Sequence, residues 1–244
     1  VYPMFPDLNQ PYTSHPWLDG AATPLPEVTD DIDGNPRDPN NPDIGCCEFS
    51  GNPNSTPYAG VLTIGTGGDF GSFSEAYDSL EWRGIDGSVT IEAMPGDYAG
   101  NLKIRSIPGA SWQDTIVFTS QSGMPEDVSF HYTPTGGEDN YVLYFYGSDH
   151  LSFENLTLFS DTSGSTNNYR IINFYGETEN IQLKHNHFYG PPYQIVSGST
   201  GDFQLIRMGE LSASHQRRVI AGNYFEGGGH TAITSDNGQS RLYI

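Results

Sequence analysis

The sequence predicts an all-β solenoid, and three of its features support that prediction. The 244 residues include 29 Gly and 17 Pro, too many for a helical bundle, because both residues destabilise helix interiors. From Ser88 onward, short alternating apolar segments are separated by Gly, Pro and Asn, which is typical of half-buried strands. Similar segments recur about every 30 residues. Units of that size stack into a solenoid because none of them can bury its apolar face alone.

The charge and the aromatic content exclude several other classes of protein. Lys and Arg total 10 and Asp and Glu total 30, giving a formal net charge of −20. The chain therefore lacks the basic surface by which proteins bind nucleic acids. No run of about 18 apolar residues occurs, so no helix is predicted to span a membrane. Aromatic residues make up 13% of the chain, which disfavours disorder.

Composition also divides the chain into three parts. Residues 1–49 are rich in Pro and Asp and show little periodicity. Residues 50–59 have the composition of a linker, and residues 60–244 contain the alternating segments. We therefore predict two structural units joined by a short connection.

The predicted linker should be the first site of proteolysis. Exposed segments of small and polar residues are preferred cleavage sites, so limited proteolysis should first cut between Ser50 and Pro57. Mass spectrometry of the earliest fragments measures this. Initial cleavage elsewhere, with this stretch protected, would contradict a linker at this place.

One helix is predicted, from Ser72 to Arg83. Its apolar residues fall at i, i+3, i+4 and i+7 and form a single stripe: Phe73, Ala76, Tyr77 and Leu80. Ser72 and Glu75 have the spacing of a capping box, and Gly84 stands where a helix C-terminus favours glycine. The helix directly precedes the first repeats, so we expect it to cap the N-terminal end of the solenoid.

The repeat is marked by glycines that follow successive strands and lie 29, 33 and 29 residues apart: Gly147, Gly176, Gly209 and Gly238. If each unit is one coil, equivalent strands pair in parallel about 4.8 Å apart along the axis. Their inward side chains then form a continuous core, with Phe153, Leu183 and Ile220 in one stack.

Asparagines at the bends fit the same architecture. Asn186 and Asn223 occupy equivalent places in two units, and Asn155 is offset by one residue. Asn tolerates left-handed backbone geometry, and stacked Asn side chains hydrogen-bond along the axis. A β-sandwich with coincidental spacing is the alternative architecture, since regular turn signals also suit sandwiches.

Two stretches of the chain resemble a known family. One comprises Thr63-Ile64-Gly65, Gly68-Asp69-Phe70, Gly84-Ile85-Asp86-Gly87 and Pro95-Gly96-Asp97-Tyr98. It is similar to the entry into a right-handed parallel β-helix of the pectin-lyase-like kind, a module of large secreted surface proteins of Bacteroidetes-type bacteria. The other comprises Asp31-Ile32-Asp33-Gly34-Asn35-Pro36-Arg37 and Pro42-Asp43-Ile44-Gly45. It is similar to the segment that closes such a β-helix at its C-terminal end.

The resemblance implies the closing end of one β-helix module in residues 1–49 and the N-terminal part of a second module in residues 60–244. It also implies an extracellular or cell-surface location, with export by type IX secretion. Because this fold carries enzymes, adhesins and inert spacers alike, two functions stay open. The first is a non-catalytic, adhesin-like module that binds a glycan or a surface or secretion protein. The alternative is a polysaccharide-active lyase or glycoside hydrolase.

Repeated tyrosines are the candidate ligand-binding residues. Tyr146 and Tyr175 recur at the same place in two units, and they point outward if the phenylalanines before them point inward. Tyr189 and Tyr193 are predicted on the following loop. Exposed tyrosine rings offer flat faces to sugar rings, and such binding should depend little on salt. The alternative is that these tyrosines only shield the edge of the sheet.

A calcium site is predicted in the N-terminal part. Asp31, Asp33, Asn35 and Asp43 supply the oxygen ligands that Ca²⁺ prefers, so structural calcium is the candidate cofactor. A turn held by Asx hydrogen bonds is the alternative.

No catalytic residue is predicted. The acidic residues form no distinctive carboxylate pair, and Arg217 and Arg218 are interpreted as ion-pairing residues on an acidic surface.

Overall fold

The computed structural model describes residues 18–49, 56–135, 139–160, 170–190, 204–209, 217–227, 231–235 and 241–243. From residue 58 onward these residues form a right-handed parallel β-helix, the hand that parallel crossover connections take. Every strand pairing that the structure describes is parallel. The predicted fold class is confirmed, and the β-sandwich alternative is wrong.

The strands form three sheets, and from Ile85 onward each coil contributes one strand to each sheet in turn. Sheet A contains, in spatial order, β1 (Tyr58–Ile64), β2 (Ile85–Ala93), β5 (Ile116–Ser120), β8 (Leu151–Glu154), β11 (Ile181–Lys184), β14 (Arg217–Ala221) and β17 (Arg241–Tyr243). Sheet B contains β3 (Gly96–Ala99), β6 (Val128–Tyr132), β9 (Thr157–Ser160), β12 (His187–Tyr189) and β15 (Tyr224–Glu226). Sheet C contains β4 (Leu102–Ile104), β7 (Leu143–Tyr146), β10 (Arg170–Tyr175), β13 (Gln204–Met208) and β16 (Thr231–Ser235). A 3₁₀ turn, Pro125–Asp127, precedes β6.

The core consists of inward side chains stacked from coil to coil. Leu183 pairs with Phe153 on one side and with Ile220 on the other, and all three are buried, which confirms the predicted stack. The Phe118 ring continues it, lying 4.9 Å from the Phe153 ring with the planes 4° apart. Alternation places these residues on one side of each strand, so the stack follows directly from the pattern of the sequence.

The capping helix α1 spans Phe73–Arg83, as predicted. The Ser72 hydroxyl accepts the backbone N–H of Glu75 at 3.1 Å, and the apolar stripe of the helix is buried. The Phe73 ring stacks on that of Phe130, with centroids 4.6 Å apart. The helix thus covers core side chains of the first coils.

The passages from sheet A to sheet B that follow β8, β11 and β14 are two-residue bends in which the two residues have different roles. The first residue has a positive φ: 52° at Asn155, 53° at His185 and 64° at Gly222. The second residue points inward, and Asn186 and Asn223 take that place. The predicted equivalence of these two asparagines, and the offset of Asn155, are therefore confirmed. The offset arises because Asn155 supplies the left-handed backbone instead of the inward amide.

Two features of the coils differ from what the sequence pattern indicates. The apolar segment from Leu151 to Phe159 reads as one strand in the sequence, but the bend at Asn155 divides it into β8 and β9. Gly209 aligns with Tyr175 and not with Gly176, because β10 and β13 pair Phe174 with Met208. The sequence pattern of an apolar segment is the same whether its backbone is straight or bent, so periodicity alone does not locate the bend.

Arg218 corrects the interpretation of Arg217 and Arg218 as surface residues. It pairs with Ile181 in sheet A, points into the solenoid and is only 1% exposed. Its Nε and Nη2 atoms donate to the Thr178 hydroxyl at 3.0 and 2.5 Å, and its guanidinium lies 4.8 Å from the centre of the Phe174 ring. Burial lowers its pKa to about 10.

Residues 18–49 are built mainly from turns. They contain one isolated antiparallel bridge, between Asp30 and Pro36, and bonds such as that from Ala22 N to Pro42 O at 2.8 Å hold the turns together. The predicted linker lies mostly outside the described residues, so the division into two modules stays a prediction.

Candidate functional site

The outer surface of sheet C carries the main candidate site. Leu102, Leu143 and Ile172 pair across β4, β7 and β10 and point inward. The residues that alternate with them therefore point outward. We call this surface the tyrosine face and define it by five of its outward residues: Lys103, Tyr144, Tyr146, Tyr175 and Arg207.

Two of the predicted tyrosines form a parallel pair on this face. Tyr146 and Tyr175 pair across β7 and β10, and their rings are 5.6 Å apart with planes only 3° from parallel. They are 41% and 44% exposed, so part of each ring is open to solvent. Tyr144 stands at an angle to both, at 6.0 and 6.3 Å.

A glycine ends the tyrosine pair. Gly209 follows β13 and donates its N–H to the Phe174 carbonyl at 2.9 Å, in the place aligned with Tyr175. A Cβ atom at Gly209 would lie 2.8 Å from that carbonyl oxygen and 3.8 Å from the Tyr175 ring. Since glycine has no side chain, the Tyr175 ring is not stacked against a third residue there.

Positive charge accompanies the tyrosines. The Lys103 ammonium lies 5.1 Å from the centre of the Tyr146 ring and 5.5 Å from that of Tyr144, within range of a cation–π interaction. Burial raises the pKa of Tyr144, and the nearby charge of Arg207 opposes that change. The outward residues of sheet C thus include two cations, Lys103 and Arg207, and its strands contain no carboxylate, in a chain of net charge −20.

The structure brings together two of the four predicted tyrosines. Tyr189 lies in β12 on the outer surface of sheet B, not on a loop beside Tyr146 and Tyr175, and that placement was wrong because the strand after the bend was not recognised. Tyr193 lies outside the described residues. Sequence reasoning also missed Lys103 and Tyr144, which alternation reveals only once β4 and β7 are aligned.

Carboxylates occupy the turn that follows the tyrosine pair. Asp149 forms an isolated parallel bridge with Glu179. The backbone N–H of Glu179 donates to Asp149 Oδ1 at 2.7 Å. Burial raises the pKa of Asp149, and the nearby charges of Glu179 and Glu177 raise it further. A raised carboxyl pKa is the direction of shift that a general acid requires.

Among the predicted calcium ligands, Asp31 accepts hydrogen bonds from backbone N–H groups. Asp31 Oδ1 accepts from the backbone of Asp33 and of Asn35, each at 2.8 Å, and its Oδ2 accepts from Glu48 N at 3.0 Å. These bonds, that from Glu48 foremost, hold the pKa of Asp31 well below its usual range. Their contribution to stability is therefore present above the ordinary carboxyl pKa and is lost as the pH falls through the lowered one.

The carboxylate of Asp43 also accepts hydrogen bonds from the backbone. Its two oxygens accept from Gly20 N at 2.6 Å and from Phe49 N at 2.7 Å, and the residue is buried. Its geometry and that of Asp31 are those of structural turns. Calcium binding by these residues stays a prediction, which a rise in unfolding temperature on adding Ca²⁺ would support and an unchanged temperature would contradict.

The described residues contain no group of three or more His, Cys, Asp and Glu side chains arranged to hold a metal ion. Among the same residues, no helix is long and apolar enough to cross a membrane.

Comparison with known proteins leaves the family of this chain open. No protein-family model matches it, and no curated protein matches it. Two solved structures of the pectin methylesterase from Aspergillus niger, in two deglycosylated forms, share 12% identity with the chain. They give TM-scores of 0.34 and 0.33, with 75% and 76% of this chain and 92% and 94% of theirs covered. At such scores the fold assignment depends on the strand pairing of the chain itself.

Proposed function

We propose that the chain is part of a non-catalytic, extracellular or cell-surface β-helix module that binds extended glycans or a surface partner through its tyrosine face. The observation that carries this proposal is the parallel, half-exposed pair of Tyr146 and Tyr175 beside the Lys103 ammonium. The extracellular location, and membership of a large secreted bacterial protein, are supported by the sequence resemblance.

The geometry suits a glycan that lies along the solenoid axis. Sugar rings present flat C–H faces that pack on tyrosine rings, and the rings of Tyr146 and Tyr175 follow one another from coil to coil. Lys103 and Arg207 add positive charge, which would attract carboxylate or sulfate groups on the sugar. Because of these cations we expect binding to weaken as salt is added. This replaces the sequence-based expectation of little salt dependence.

Removal of the tyrosine pair should abolish most of the binding. We expect Tyr146→Ala and Tyr175→Ala each to weaken the association with an acidic polysaccharide about fivefold, because each loses a stacking contact of about 1 kcal/mol. Isothermal titration on the 244-residue chain measures this. Tyr224→Ala on sheet B removes an equally exposed ring and is the matched control.

The two lysines of the chain provide a charge control. Lys103→Ala and Lys184→Ala change the net charge equally, but only Lys103 lies on the tyrosine face. We expect the first to weaken binding and to reduce its salt dependence, and the second to leave both unchanged. Equal losses in the two variants would mean that the tyrosine face is not the binding site.

The alternative function is a polysaccharide-active enzyme, and Asp149 is the observation that favours it. Its pKa is raised by burial next to two other carboxylates, at the turn that directly follows Tyr146. Incubation with acidic and neutral polysaccharides, followed by assays for new reducing ends and for unsaturated uronates, distinguishes the two functions. Product that disappears in Asp149→Asn would establish the enzyme and overturn the non-catalytic proposal.

A further inference from the structure

The outer surface of sheet B is a second aromatic surface, distinct from the tyrosine face. Registers across β3, β6, β9, β12 and β15 align two outward rows of residues. They are Asp97, Ser129, Thr157, His187 and Tyr224 in one row, and Ala99, His131, Phe159, Tyr189 and Glu226 in the other. We name this surface the acidic aromatic face.

Its rings continue over four coils. His131 stacks on Phe159 with centroids 4.6 Å apart and planes 4° from parallel. Tyr189, Tyr224 and His187 then form a cluster with centroids 5.4 to 6.2 Å apart. Tyr224 is 50% exposed. A strip of this kind offers several ring faces in line, one coil spacing of about 4.8 Å apart.

Carboxylates stand at both ends of the strip. Asp97 accepts from the Ser129 hydroxyl and lies 3.2 Å from His131 Nε2. At the other end, Tyr224 donates to Glu226 Oε2 at 3.1 Å. Both carboxylates are exposed and are oriented by these neighbours.

The charges of sheets B and C have opposite signs. The five strands of sheet B contain two carboxylates and no Lys or Arg. On sheet C, Lys103 and Arg207 point outward, and its strands contain no carboxylate. Since both surfaces carry exposed aromatic rings, they differ chiefly in the charge of the ligand that they would attract.

We propose that the acidic aromatic face binds a cationic amino-sugar polymer, with sugar rings stacked on Tyr224 and Tyr189 and protonated amines paired with Glu226 and Asp97. Aromatic rings and carboxylates together recognise a flat ring that carries a positive charge. A cationic peptide would satisfy the carboxylates but would place no sugar ring on the tyrosines. The proposal does not depend on the function of the tyrosine face.

The experiment compares two oligomers of equal length on the 244-residue chain. One is a glucosamine oligomer with protonated amines, and the other is its fully N-acetylated counterpart, which has the same rings without charge. We expect calorimetric titration to show binding of the charged oligomer at least tenfold tighter. Tyr224→Ala and Glu226→Gln should each weaken it about tenfold.

Three controls test the assignment to this face. Asp86→Asn removes an exposed carboxylate from sheet A, and Trp112→Ala removes a ring that is 50% exposed, as Tyr224 is, but lies outside sheets B and C; both should leave the affinity unchanged. Unfolding curves of Tyr224→Ala should match those of the original chain, so that lost binding reflects the surface. A lysine hexamer should bind weakly and should be insensitive to Tyr224→Ala.

Several outcomes would overturn the proposal. Equal binding of the N-acetylated oligomer would remove the role of charge. An equal loss in Asp86→Asn and Glu226→Gln would show attraction to the overall negative charge alone. Tight binding of the lysine hexamer, with no effect of Tyr224→Ala on either ligand, would assign the surface to cationic peptides.

Discussion

Replacing Asn186 with leucine should destabilise the β-helix by about 2–5 kcal/mol. Asn186 is fully buried. Its Oδ1 accepts from Leu156 N at 3.0 Å, and its Nδ2 donates to Phe153 O at 2.8 Å and to Asn223 Oδ1 at 3.2 Å. Leucine would fill the volume but would leave the N–H of Leu156 and the carbonyl of Phe153 without these partners, at about 1–3 kcal/mol for each buried group.

The preceding coil shows why this asparagine matters. Leu156 occupies the equivalent inward place without harm, because the amide of Asn186 in the next coil satisfies its backbone N–H. The side chain of Asn186 therefore stabilises the preceding coil. Urea denaturation followed by circular dichroism measures the loss. Asn173→Leu makes the same chemical change on the outer surface of β10 and should cost less than about 1 kcal/mol. Equal losses in the two variants would contradict the stabilising role of the buried hydrogen bonds of Asn186.

The second large effect is expected at Thr178. Its hydroxyl accepts two bonds from the guanidinium of Arg218, which is buried in the core. Valine has nearly the same shape but no hydroxyl, so Thr178→Val should cost about 2–4 kcal/mol, since hydrogen bonds to buried charged groups are worth about 1.5–3 kcal/mol each.

Serine is the matched control for this position. Thr178→Ser keeps the accepting oxygen and loses only a methyl group, at a cost of about 1 kcal/mol. Thermal and urea unfolding of both variants should therefore rank valine well below serine. If serine were as destabilising as valine, the methyl contact and not the hydroxyl would be what Thr178 contributes.

Several features of the fold are readable from local patterns. The helix from Phe73 to Arg83 was predicted almost to the residue because its apolar period, its capping serine and its final glycine all agree. The stack of Phe153, Leu183 and Ile220 was predicted because alternation fixes which side of a strand points inward. Consistency among local signals is what makes such features predictable.

The candidate site was predicted only in part, for a different reason. The loops between sheets B and C vary in length, so the register of β13 against β10 cannot be counted along the chain. That uncertainty led to the misalignment of Gly209. It also hid the proximity of Lys103 to Tyr144, which are 41 positions apart in the chain and paired in register in space.

The sequence by itself determined the all-β solenoid, its capping helix, its inward stacks and the recurrence of outward tyrosines, because each of these follows from periodicity within one or two coils. Only the tertiary structure decided which tyrosines share a surface, that Arg218 lies inside, and that sheets B and C carry opposite charges. Those properties depend on the register between coils and on the bends that rotate each strand to its own sheet. Both are set by packing and hydrogen bonding between residues about 30 or more positions apart.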